Sequence, residues 1–156
     1  MKIENSTYAR RAMGLFRQGY NCSQSVFLAF ADKYDMDEKT AARLASSFGG
    51  GLGRLREVCG AVSGMAMVAG ILYGYDSPED YPAKTEHYTR IQELVHAFAE
   101  QNGSYICHKL LGLEKQNDSP IPEKRTEEYY KKRPCAELVG MAAAIMEEYI
   151  ETHQSI

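Results

Sequence analysis

Four cysteines, Cys22, Cys59, Cys107 and Cys135, are the residues of this 156-residue chain with the most obvious capacity for chemistry. They stand singly. No CxxC pair and no zinc-finger spacing is present, and the absence of CxxCH excludes covalent c-type haem. What they share is position: Cys22, Cys59 and Cys135 fall in the first turn or so of expected helices, and Cys107 lies three residues after Ser104, a candidate cap. The unpaired N–H groups and partial positive charge of a helix N-terminus stabilise a thiolate, which a redox or metal-binding cysteine requires. In a dithiol version, Cys59 is the attacking thiolate, assisted by Arg54 or Arg56, and Cys22 is the first choice to resolve the mixed disulfide. In a metal version, all four cysteines ligate an iron–sulfur cluster or zinc, because four thiolates satisfy either centre. A third reading is a non-enzymatic helical interaction protein whose cysteines are buried packing residues.

The densest segment runs from Phe48 to Gly64, FGGGLGRLREVCGAVSG. Gly50, Gly51 and Gly53 with Arg54 and Arg56 form a candidate anion-binding loop, since backbone N–H groups at a helix entrance cradle negative charge. The segment follows an expected helix and lacks the GKS or GKT ending of a P-loop, so it would serve a substrate rather than a nucleotide cofactor. Other polar residues are read more plainly. Cys107 and His108 are adjacent, and neighbours on a helix point about 100° apart. His87 and His96 are out of register for a two-His metal pair. Glu127-Glu128 and Glu147-Glu148 are expected on solvated helix faces.

Together with Gly19-Tyr20-Asn21-Cys22 and the later single cysteines, this segment resembles the family of small redox-active cysteine proteins labelled C_GCAxxG_C_C. The resemblance spans the chain from its first helix to its last cysteine. It implies thiol-based redox chemistry at Cys22, Cys59, Cys107 and Cys135, with Gly60, Ala61 and Gly64 as the small motif residues. The label writes Gly-Cys-Ala where this chain has Cys59-Gly60-Ala61. It names no substrate, so the expected activity is that of a thiol-dependent oxidoreductase or electron-transfer protein with an unidentified redox partner.

The elements that must position these residues read as helices throughout. Ala9, Ala12, Met13 and Phe16 form one helical stripe, and Cys22, Val26, Ala29 and Phe30 form a second after an Asn21 cap. Asp37 opens a third helix, which Gly49-Gly50-Gly51 ends. An apolar helix is expected from about Arg56 to Gly74, then long helices from about Glu79 to Gln101 and from Pro134 onward, with a short one around Cys107. The expected fold is therefore all-α: a single domain over 1–156, with six to eight helices around a central apolar Gly-rich helix. A flexible loop is expected at about 112–123 and a polar tail at about 151–156.

Composition supports this picture, with 18 Lys+Arg against 21 Asp+Glu and 44% hydrophobic residues. No basic field is present to attract nucleic acid. Glu4, Arg10 and Arg11 interrupt the N-terminus where a signal peptide needs an apolar run, so a cytoplasmic location is expected. The apolar run from Val58 to Tyr75 is broken by glycines and reads as a buried helix rather than a membrane span. Its small residues leave a homodimer open.

Overall fold

Local side-chain caps set most of the helix starts in the computed structural model, which describes residues 1–113 and 119–154. Helix α1 (Thr7–Arg17) begins where the Ser6 hydroxyl accepts the Ala9 N–H, and α2 (Cys22–Ala29) begins at a reciprocal cap between Asn21 and Gln24. Asp37 accepts the Thr40 N–H to open α3 (Glu38–Ser46). Helix α4 (Gly60–Tyr73) follows, and then α5 (Tyr81–Asn102), capped by Asp80 and ended by Gly103 in the left-handed region at φ 85°. A single turn, α6 (Cys107–Leu110), precedes α7 (Glu127–Lys132), which Thr126 caps, and the long α8 (Cys135–Thr152). Each cap satisfies an N–H that the helix itself leaves unpaired. The fold is all-α, as expected, with eight α-helices among the described residues.

The apolar helix starts later than its hydrophobicity implies. Residues 56–59 are held out of the helix by an antiparallel bridge between Val58 and Ile106, flanked by Cys59 N–H to Tyr105 O at 2.9 Å, Cys107 N–H to Glu57 O at 2.6 Å and His108 N–H to Arg56 O at 3.1 Å. These bonds use backbone groups that a helix starting at Arg56 would have needed for itself.

Helix α4 packs on α2, α5 and α8, while α8 packs on α1, α2, α4 and α5. Gly60 and Gly64 are packed so closely that a β-carbon would stand 2.9 Å from Phe48 O, in the turn after α3, and 2.7 Å from Ser23 O of α2, respectively. The alanine- and glycine-rich faces are thus filled inside the chain, where Ala61, Ala69, Ala142 and Ala143 are fully buried. Glu147 departs from the solvated face expected of it. It is 7% exposed and accepts the Tyr8 N–H at 3.1 Å, placing a carboxylate at the N-terminus of α1, where the helix dipole favours it. Among the described residues no helix is long and apolar enough to cross a membrane. The loop expected over about 112–123 has residues 114–118 outside the described residues, and the tail likewise has 155–156.

Candidate functional site

All four cysteines sit at helix N-termini. Cys22, Cys107 and Cys135 are the first residues of α2, α6 and α8, and Cys59 is the N-cap of α4. They border one cavity of about 390 Å³, and Gly50, Gly51, Gly53, Arg54 and Arg56 border it with them. Residues remote in sequence therefore meet because α2, α4, α6 and α8 all point their starting ends at the same space. The Val58–Ile106 bridge locks two of these ends together, so Cys59 and Cys107 each follow a bridged residue. The Cys22 thiol is shifted most by Cys135, with Cys59 and Cys107 adding smaller effects in the same direction.

The glycine loop is wound in the left-handed sense. Gly50, Gly51 and Gly53 have φ of 66°, 74° and 54°, and the non-glycines Leu52, Arg54 and Arg56 join them at 71°, 68° and 63°. A left-handed non-glycine costs on the order of 1–2 kcal/mol, so the loop persists because its amides are tied down. Gly53 donates to Ser47 O at 2.8 Å, Arg56 to Gly50 O at 3.0 Å and Glu57 to Gly51 O at 2.9 Å. The outcome is an Arg56 side chain that is 7% exposed and turned to the cavity, with its NH1 donating to Cys107 Sγ at 3.8 Å and its Nε without a hydrogen-bond partner.

Electrostatics separate the four thiols. Burial pushes Cys59 up to about 12, although the N–H groups of Ala61 and Val62 donate to its sulfur. Burial also raises Cys107, against the hydrogen bond and charge of Arg56. Cys135 moves the other way, down to about 7. The hydrogen bond from Cys22 is the main cause; burial opposes it, and the charges of Arg133, Arg125 and Arg56 add to it. Cys22 is correspondingly raised well above its ordinary value, first by that same hydrogen bond and then by burial. The helix N-terminus that marked Cys59 in the sequence is outweighed there by desolvation, and the favoured thiolate is Cys135.

Sequence reasoning missed the second half of the cavity wall. Arg125 donates to Phe16 O at 2.9 Å and Tyr20 O at 3.0 Å, and its guanidinium lies 4.1 Å from the Phe16 ring centroid. Arg133 donates to Glu123 at 2.6 Å, and Arg54 reaches the same carboxylate at 3.7 Å. Burial raises the Glu123 carboxyl, but Arg133, Arg54 and Arg56 hold it below the usual range. The one legible signal was Arg133-Pro134-Cys135, a cation two residues before a helix-starting cysteine. Among the described residues, no three His, Cys, Asp or Glu side chains are grouped closely enough to hold a metal ion. The four thiols border the cavity without forming a ligand shell.

Fold and site together define an all-helical protein that gathers four cysteines into one arginine-bordered cavity. The chain belongs to the C_GCAxxG_C_C family: the family model described as "Putative redox-active protein (C_GCAxxG_C_C)" matches residues 20–149, which contain all four cysteines. Neither the curated proteins nor the solved structures searched contain a match to it.

Proposed function

We propose that the protein is a dithiol/disulfide redox protein in which Cys135 is the attacking thiolate and Cys22 the resolving thiol. The observation that carries this reading is that Cys22 and Cys135, the first residues of α2 and α8, border one cavity together with Arg56, Arg125 and Arg133, and that their thiols are shifted in opposite directions. A dithiol needs one sulfur ionised near neutral pH and a second kept protonated beside it until its turn. That division of labour matches the opposite shifts of the two thiols. Cys59 and Cys107, raised by burial, serve as protonated reserve thiols in the same cavity.

The test is mild oxidation of the reduced protein followed by peptide mapping. A Cys22–Cys135 disulfide is the expected product, forming equally in Cys59→Ser. Oxidation that links other cysteines, or none, overturns the assignment. A second reading, four thiolates around zinc or an iron–sulfur cluster, rests on the convergence of all four cysteines on one cavity. Anaerobic purification with metal and sulfide analysis separates the two. A stoichiometric metal lost on replacing any one cysteine replaces the dithiol reading.

A further inference from the structure

The proposed dithiol lies in a recess suited to a small molecule: Cys135 is 8% exposed, Cys22 is half-buried, and both border the cavity. The cavity volume of about 390 Å³ falls within the range of small-ligand sites. Its charge is one-sided: among the described residues Arg54, Arg56, Arg125 and Arg133 border it against one carboxylate, Glu123. Glu123 is taken by Arg54 and Arg133, and Arg125 is committed to the carbonyls of Phe16 and Tyr20. Arg56 is different. It is buried, forms none of the chain's ion pairs among the described residues, and leaves Nε unpaired within the cavity wall. A buried guanidinium without a counter-charge costs free energy unless an anion pairs with it, and a carboxylate is the partner its planar fork fits best.

Resting on the dithiol reading, we infer that the substrate of this cavity is a carboxylate-bearing low-molecular-weight disulfide, held by Arg56 while its sulfur meets Cys135. The Cys135 thiolate attacks one sulfur, the substrate S–S bond breaks, and half of the substrate leaves as a thiolate that takes up a proton. Cys22 then loses its proton and attacks the Cys135 sulfur. The mixed disulfide breaks, and the second half leaves and is protonated. The dithiol is oxidised by two electrons to a Cys22–Cys135 disulfide, and the substrate is reduced to two thiols.

Three disulfides of similar size test this: dithiodipropionate, which is dianionic, hydroxyethyl disulfide, which is neutral, and cystamine, which is dicationic. Reduced protein is mixed with each, and the single-turnover rate of disulfide formation is divided by the rate with a free small dithiol to remove intrinsic reactivity. The dianion is expected to react about tenfold or more faster than the dication, with the neutral compound between them. In Arg56→Gln the dianion-to-neutral ratio, which is independent of the thiolate fraction, falls to about one. Equal normalised rates in the unaltered protein overturn this inference and leave the dithiol reading standing. Selectivity that persists in a folded Arg56→Gln also overturns it. If none of the three yields a Cys22–Cys135 disulfide, both readings fall. The charge series on the unaltered protein decides even where the variant does not fold.

Discussion

Replacing Cys22 with alanine acts on the site at its most specific contact. In the folded protein the Cys135 thiol lies near 7 against an ordinary 9.0, and the hydrogen bond from Cys22 is the largest cause. Ionising at about 7 instead of 9.0 corresponds to a figure on the order of 3 kcal/mol of preference for the thiolate. That figure is a net result, because burial opposes the thiolate and Arg133, Arg125 and Arg56 favour it. Once Cys22 is alanine, burial stays and only the longer-range charges remain. The midpoint should then rise by at least about one pH unit, which is about 1.4 kcal/mol. At pH 7 the thiolate fraction falls from about one half to about one tenth, so alkylation slows roughly fivefold. The assay is native iodoacetamide labelling across a pH series, quenched in acid and read cysteine by cysteine by mass spectrometry. Cys135 should show a midpoint near 7 in the unaltered protein and at 8 or above in Cys22→Ala. Cys22→Ser should lie between them, since its hydroxyl can still donate. A midpoint near 9 in the unaltered protein, or one that ignores Cys22→Ala, refutes the reasoning.

Four further outcomes are expected. Gly64→Ala places a methyl 2.7 Å from Ser23 O, forcing α4 from α2 and lowering stability by about 1–3 kcal/mol, measured by urea unfolding. Leu52→Gly relieves a left-handed side chain that is 47% exposed, and should range from neutral to about 1 kcal/mol stabilising; a loss beyond about 1 kcal/mol contradicts the strain argument. Glu147→Ala removes the carboxylate that receives the Tyr8 N–H and should cost about 1–2 kcal/mol in the same assay. Stability should also follow pH with two opposite slopes. Cys135, lower in the folded state than its ordinary 9.0, adds stability as pH rises from 7 to 9; Cys59, higher in the folded state, removes it as pH rises from 9 to 12, by up to about 4 kcal/mol. Cys59→Ser should lessen the alkaline fall, to which the raised Cys22, Cys107, Tyr34 and Tyr129 also contribute, and identical curves above pH 9 would contradict the burial assigned to that thiol.

The parts of the fold and site that were legible in the sequence are those governed by local rules. Asn21 and Asp37 cap the helices assigned to them, although α3 ends at Ser46, three residues before the Gly49-Gly50-Gly51 expected to stop it. The apolar stripe of α8 and the family resemblance are of the same kind, since both are written in contiguous residues. What stayed hidden depends on partners far along the chain. The late start of α4 is imposed by Ile106, nearly fifty positions away from Val58, and hydrophobicity alone carries no trace of that bridge. Glu147 reads as a surface residue until α1 presents its N-terminus to it. Arg54 and Arg56 were singled out for their charge, but their left-handed backbone was not foreseeable, because the rule that reserves such conformations for glycine is broken there by tertiary hydrogen bonds.

Cys59 and Cys135 also show why a shared motif position does not confer a shared role. Both start helices, so the N-terminal dipole favours a thiolate at each, by an amount typically under about 1 kcal/mol at exposed sites. Cys59 has two backbone N–H donors and is still raised, because desolvation is larger than what the helix end supplies. Cys135 is nearly as deep, yet it has a thiol donor from Cys22 and three arginines nearby. The deciding difference is therefore the company brought by α2, above all Cys22, with Arg133 and Arg125 from the segments before α8 adding to it. Glu123 tempers that company: its carboxylate is shared by Arg54 and Arg133, which leaves Arg56, bonded to the Cys107 sulfur, as a cavity cation with no carboxylate partner among the described residues. On this reasoning Cys135 sets the redox chemistry, while Arg56 sets which disulfide can reach it.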